Sequence, residues 1–93
     1  MSIADLKKRA APVLRRHGAR RAAVFGSVAR GEDAGSSDVD LLVELDDDVG
    51  LLEFIALKQA LEESLGRSVD LVEYDALKPL IRERALKEQV PIL

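Results

Sequence analysis

Between Val39 and Leu45 apolar side chains occupy every second position, and Asp38 and Asp40 take the alternate places at the start of that run. An extended chain sends residues i and i+2 to the same side. Val39, Leu41, Val43 and Leu45 therefore face a core, while Asp38 and Asp40 point together the other way. The pattern dictates a strand with one buried face and two neighbouring carboxylates that repel unless a cation lies between them. Paired carboxylates suit a hard divalent ion such as Mg²⁺, which takes one or two protein acids together with water and substrate phosphate oxygens. Acids at a strand start also serve as caps or guard an edge against pairing. That plainer reading accounts for one acid more readily than for two on one face.

Upstream lies the turn Gly26-Ser27, separated from Asp38 by a ten-residue spacer. A residue without Cβ lets the backbone approach a phosphate, and the Ser27 hydroxyl and nearby amides can donate to its oxygens. A glycine turn after a strand is ordinary by itself, so its weight comes from the acids that follow. A third acid, Asp70, sits in the strand-like run Ser68-Val69-Asp70-Leu71-Val72. If that strand pairs beside the first, Asp70 projects from the same face as Asp40. A register slip would put Glu73 or Asp75 in its place.

Gly26-Ser27, the spacer and Asp38-Val39-Asp40 resemble the signature of the nucleotidyltransferase superfamily that includes DNA polymerase beta. At this length the nearest resemblance is to its minimal nucleotidyltransferases, the MNT antitoxins that act beside HEPN toxins. The resemblance covers nearly the whole chain. It implies that Asp38, Asp40 and Asp70 are catalytic and hold two Mg²⁺ ions, with Asp70 serving the attacking hydroxyl, and that Gly26, Ser27 and Arg30 bind the nucleotide. It further implies ATP as substrate and a HEPN ribonuclease toxin as partner, neutralised by AMP transfer to a hydroxyl, that of a tyrosine. The alternative is a non-catalytic antitoxin that neutralises the toxin by binding alone. From the residues themselves, Arg30 has two readings: neutralising triphosphate charge, or pairing with Glu32 or Asp33.

A chain of 93 residues makes one domain, residues 1–93, with no length for a separate substrate-recognition domain. Its aromatic residues are Phe25, Phe54 and Tyr74, so the core is aliphatic and offers no stacking platform for bases. Direct nucleic-acid binding is therefore not expected. Lys7, Lys8, Arg9, Arg15, Arg16, Arg20 and Arg21 crowd the start, and acids dominate from Glu32 to Asp75. That basic start is either a solvated helix face or a contact for an acidic partner or phosphates. Cysteine is absent, which excludes disulfides and thiolate metal sites. With no apolar run long enough for a bilayer and no signal-peptide pattern, a cytoplasmic protein is expected.

Ser2 and Asp5 resemble a capping box, and Ile3, Leu6, Ala10, Val13, Leu14 and His17 recur at helical spacing up to Gly18, with a kink or restart expected at Pro12. Strands follow at 21–25, 39–45 and 68–73, a brief helical segment follows Gly26-Ser27, and 31–37 reads as a polar loop. A second helix spans 51–65, with Leu51, Phe54, Leu57, Leu61 and Leu65 on one stripe and Gly66 as its stop. Pro79 opens a last helix whose apolar Leu80, Ile81, Ala85 and Leu86 either complete the core, the reading favoured at this size, or meet a partner. The order points to a small α/β (α+β) domain: a mixed sheet with helices packed mainly on one face, as in the polymerase beta-like nucleotidyltransferases. His17, at a helix end, is read as structural, Asp46-Asp47-Asp48 as a solvated turn without the spacing of a calcium loop, and Tyr74 as a packing or surface residue.

Overall fold

Alternation in the central strand and two apolar helical stripes generate the architecture, and a computed structural model of the chain describes residues 1–32 and 38–93. Helix α1 (Ile3–Arg16) starts where the Ser2 hydroxyl accepts from the Asp5 amide at 3.1 Å, and it runs to Arg16 as one helix with Pro12 inside. Pro12 is exposed, so its ring meets solvent rather than the sheet. Strand β1 (Ala19–Phe25) leads into the single turn α2 (Gly26–Ala29); β2 (Val39–Leu45) and α3 (Leu51–Leu65) have the bounds their patterns dictate. Then come β3 (Val69–Glu73), a 3₁₀ turn (Tyr74–Ala76), α4 (Pro79–Glu88) and the two-residue β4 (Val90–Pro91). Of the expected loop, residues 33–37 lie outside the described residues.

The four strands form one mixed sheet in the order β3-β2-β1-β4. β1 is antiparallel to both β2 and β4, whereas β2 and β3 are parallel. On one face α1 and α3 cover β2: Leu6, Leu14, Val24, Val39, Leu41, Val43, Leu57 and Leu61 form a continuous aliphatic cluster. The stripe of α3 is buried at Leu57, Leu61 and Leu65. Its first turn overhangs the sheet, so Leu51, expected on that stripe, is instead 74% exposed. We expect Leu61→Ala to destabilise the fold by about 2–5 kcal/mol and Leu52→Ala by less than about 0.5, measured by urea denaturation.

The opposite face carries Asp40 and Leu42 of β2, and there a smaller cluster gathers Leu42, Tyr74 and Ala85, with Phe25, Val72, Leu77 and Leu86 against it. Thus the two long helices share one face and α4 lies on the other. The expectation that α4 completes the core with four residues is corrected. Ala85 is buried and Leu86 half-buried, but Leu80 is 91% and Ile81 53% exposed. The helix meets the sheet through its C-terminal half, leaving its first turn uncovered. No helix among the described residues is long and apolar enough to cross a membrane.

Candidate active site

The parallel pairing of β2 and β3 sets Asp40 directly against Asp70, with Val39 against Val69 and Leu41 against Leu71. Residues in register on neighbouring strands project from the same face. Asp38, two residues before Asp40 in an extended segment, joins them at the N-terminal end of the strands. The electrostatics record this proximity. Burial raises the Asp40 carboxyl above the ordinary carboxylate range, the charges of Asp70 and Asp38 raise it further, and Arg30 offsets part of the effect. Glu73 pairs with Val43 further along the strand and Asp75 lies in the 3₁₀ turn, so Asp70 is the acid of that segment that faces Asp40.

β1 delivers the turn. Phe25 pairs with Asp40 across the antiparallel ladder, and the chain then enters α2 through Gly26 with φ of +72°. A Cβ at Gly26 would overlap Asp40 Oδ2 and lie 3.1 Å from Asp40 Cγ. The glycine is therefore needed twice, for the left-handed backbone and for the close approach of Asp40. Ser27 is half-buried in the first turn of α2, where backbone amides lack intrahelical acceptors. Three hard oxygen donors on one face, one of them held back from ionising by burial and by the charges of the other two, are a donor set suited to a divalent cation. Among the described residues, no three such side chains already form a closed cage around one point.

Arg30, which closes α2, places its Nε against the Glu32 carboxylate and its Nη1 2.9 Å from Glu88 Oε2. Asp33, the other partner considered for it, lies outside the described residues. Between the turn and α4 runs a cleft of about 300 Å³, lined by Phe25, Gly26, Arg30, Leu80, Ile81, Arg84, Ala85 and Glu88. Sequence reasoning missed Glu88, because a contact 58 residues along the chain leaves no local pattern. The remaining candidates stand apart from the acids. His17 caps α1, its backbone N–H reaching Val13 and Leu14 carbonyls, and the Tyr74 hydroxyl hydrogen-bonds Gln89 at 2.9 Å beneath Arg21. The 46–48 turn lies at the far end of β2, where Arg20 reaches Asp46 and Asp47.

Comparison with known proteins agrees with this fold. The nucleotidyltransferase domain model matches residues 7–92. A Methanocaldococcus jannaschii protein provisionally named a protein adenylyltransferase is 43% identical over 93 residues, all of both chains. The protein adenylyltransferase MntA of Thermococcus cleftensis is 47% identical over 75 residues, 81% of this chain and 76% of its own. A solved structure provisionally described as a minimal nucleotidyltransferase superposes with a TM-score of 0.84 at 46% identity, covering 98% of this chain and 96% of the other. A toxin-antitoxin structure with AMP-PNP shares the fold, with a TM-score of 0.80 at 21% identity over 94% of this chain and 72% of the other. With the Gly-Ser turn, the acid pair and the sheet that joins them, the chain belongs to the nucleotidyltransferase domain family, in its minimal form.

Proposed function

We propose that this chain transfers AMP from ATP to a tyrosine hydroxyl of a HEPN-type toxin and thereby neutralises it, with Mg²⁺ held by Asp38, Asp40 and Asp70. The observation that carries the reading is the register of Asp40 on Asp70 beside Gly26, where a Cβ would displace the Asp40 carboxylate. The names of the relatives, protein adenylyltransferases of similar length, support the acceptor class, and a nucleotide analogue in a toxin-antitoxin structure of the same fold supports the donor and the partner.

In this reaction the acceptor oxygen attacks the α-phosphorus of ATP in line. A new P–O bond forms as the bond to the bridging oxygen breaks, and pyrophosphate leaves with that electron pair. Asp70, at the exposed edge of the acid cluster, takes the proton of the attacking hydroxyl. Gly26 lets the polyphosphate come close to the strand, Ser27 donates to its oxygens, and Arg30 offsets its charge. When bound, divalent metal neutralises the charge that develops on the phosphoryl oxygens and leaving group. Positioning and charge stabilisation supply most of the rate in such transfers.

The test is incubation with Mg²⁺ and α-labelled ATP in a host lysate, beside the Asp38→Asn, Asp40→Asn double mutant. A protein band labelled by the wild type alone is the expected result. No label with either protein, together with unimpaired toxin suppression by the folded double mutant, would replace this reading with neutralisation by binding alone.

A further inference from the structure

Arg30 is held by two carboxylates that differ in kind. Glu32 is its neighbour along the loop, with a side chain 62% exposed. Glu88 comes from the far end of α4, is 23% exposed, and is gripped from its other oxygen by Arg84 Nε at 3.2 Å. The hydrogen bond from Arg84, then that from Arg30, keeps Glu88 ionised to lower pH than an ordinary glutamate. Glu88 is thus a fixed acceptor, tied to a helix and oriented by a second arginine. Glu32 makes the closer contact but is the more exposed of the two, on the side from which an incoming anion reaches the guanidinium.

We propose that Glu88 is the positioning residue of the phosphate-binding arginine, and that Glu32 occupies the guanidinium edge a triphosphate takes on binding. This rests on the nucleotidyltransferase reading above. A guanidinium presents two usable edges and a carboxylate engages one of them. Glu88 at Nη1 fixes the plane of the group beside the Gly26 turn, while the Nε side lies against Glu32. A polyphosphate brings more charge than one carboxylate and displaces Glu32 while the Glu88 contact persists. Arg84 strengthens that contact at one remove, by holding the second Glu88 oxygen.

The full-length protein is titrated with a fluorescent ATP analogue, and KM for ATP and kcat are measured in parallel. Glu88→Gln is expected to weaken analogue binding and raise KM about five- to tenfold, the scale of one ordinary hydrogen bond because Glu88 acts through Arg30, with kcat changed less than about twofold. Glu32→Gln is expected to bind as tightly as wild type or more tightly. In an Arg30→Ala background Glu88→Gln is expected to have no further effect on affinity, which a purely structural role for Glu88 would not give. Arg84→Gln, altering an exposed side chain, is expected to act in the same direction and less strongly, and it serves if Glu88→Gln lowers the melting temperature. Unchanged affinity in Glu88→Gln, equal weakening in both backgrounds, or equal weakening by Glu32→Gln would overturn the assignment while leaving nucleotidyl transfer standing. A wild type that binds no nucleotide would remove both.

Discussion

Asp40→Asn is expected to abolish nucleotidyl transfer, by about 10³-fold or more, while the protein stays folded and at neutral pH is no less stable than wild type. The kinetic loss follows from removing the central carboxylate of three, whose contribution to charge stabilisation is several kcal/mol. The stability result follows from the state of that carboxyl in the fold. Burial, then Asp70, then Asp38 push it above its ordinary range, so ionised Asp40 opposes folding. A carboxyl whose folded pKa is raised contributes stability that is fully present below its unfolded pKa, about 3.9, and is lost as pH rises through the folded value. Above that window the wild type carries the repulsion of Asp40 with Asp70 and Asp38, and the asparagine variant does not. Melting temperatures of the two proteins from pH 3 to pH 8 check this: the variant's relative stability should rise with pH across the window and then level off. Magnesium should raise the melting temperature of the wild type and leave that of the variant nearly unchanged. A variant markedly less stable at pH 7 would show that Asp40 serves the fold through its charge, against its assignment to the site.

The sequence carries the central features of this site because they depend on strict local periods. Alternation from Val39 to Leu45 places the acids and the core on opposite faces without tertiary information, and the stripe of α3 follows from Leu57, Leu61 and Leu65 in the same way. Asp70 depended on one assumption, that β3 lies beside β2, and the parallel register supplies it. Features set by long-range packing were illegible. β4 is two residues at Val90–Pro91, and its pairing with Ala23 and Val24 leaves no alternation to read. β1 begins at Ala19, two residues before the expected start at Arg21, because Ala19 pairs with Leu45 across the sheet. In α4, Leu80 and Ile81 have the spacing of a core helix, yet their exposure is decided by where the helix docks, through Ala85 on Leu42 and Tyr74. The grip of Glu88 on Arg30 belongs to the same class of feature.

Gly26→Ala is expected to lower the transfer rate by about 10²-fold or more, whereas Gly31→Ala, at an equally left-handed backbone, should leave it within about threefold. The two glycines form a matched pair. Gly26 has φ of +72° and Gly31 +75°, so both alanines meet the same backbone penalty, about 1–2 kcal/mol. They differ in what the new methyl meets. At Gly31 nothing among the described residues lies within 4 Å, but at Gly26 the methyl would overlap Asp40 Oδ2 and press on its Cγ. Asp40 lies on a central strand paired on both sides, with Phe25 and with Asp70, so its backbone cannot retreat and the carboxylate must swing away. With Asp40 in the role proposed above, a displacement of about 1 Å costs about 10² in rate. Thermal unfolding separates the contributions: both variants should lose similar stability from the backbone, with any excess at Gly26 due to the overlap. Gly26→Ala,Asp40→Ala, which removes the clash along with the carboxylate, should recover that excess stability and none of the activity. If Gly26→Ala and Gly31→Ala slow the reaction equally, Gly26 serves only the turn, and the close approach to Asp40 has no part in the chemistry.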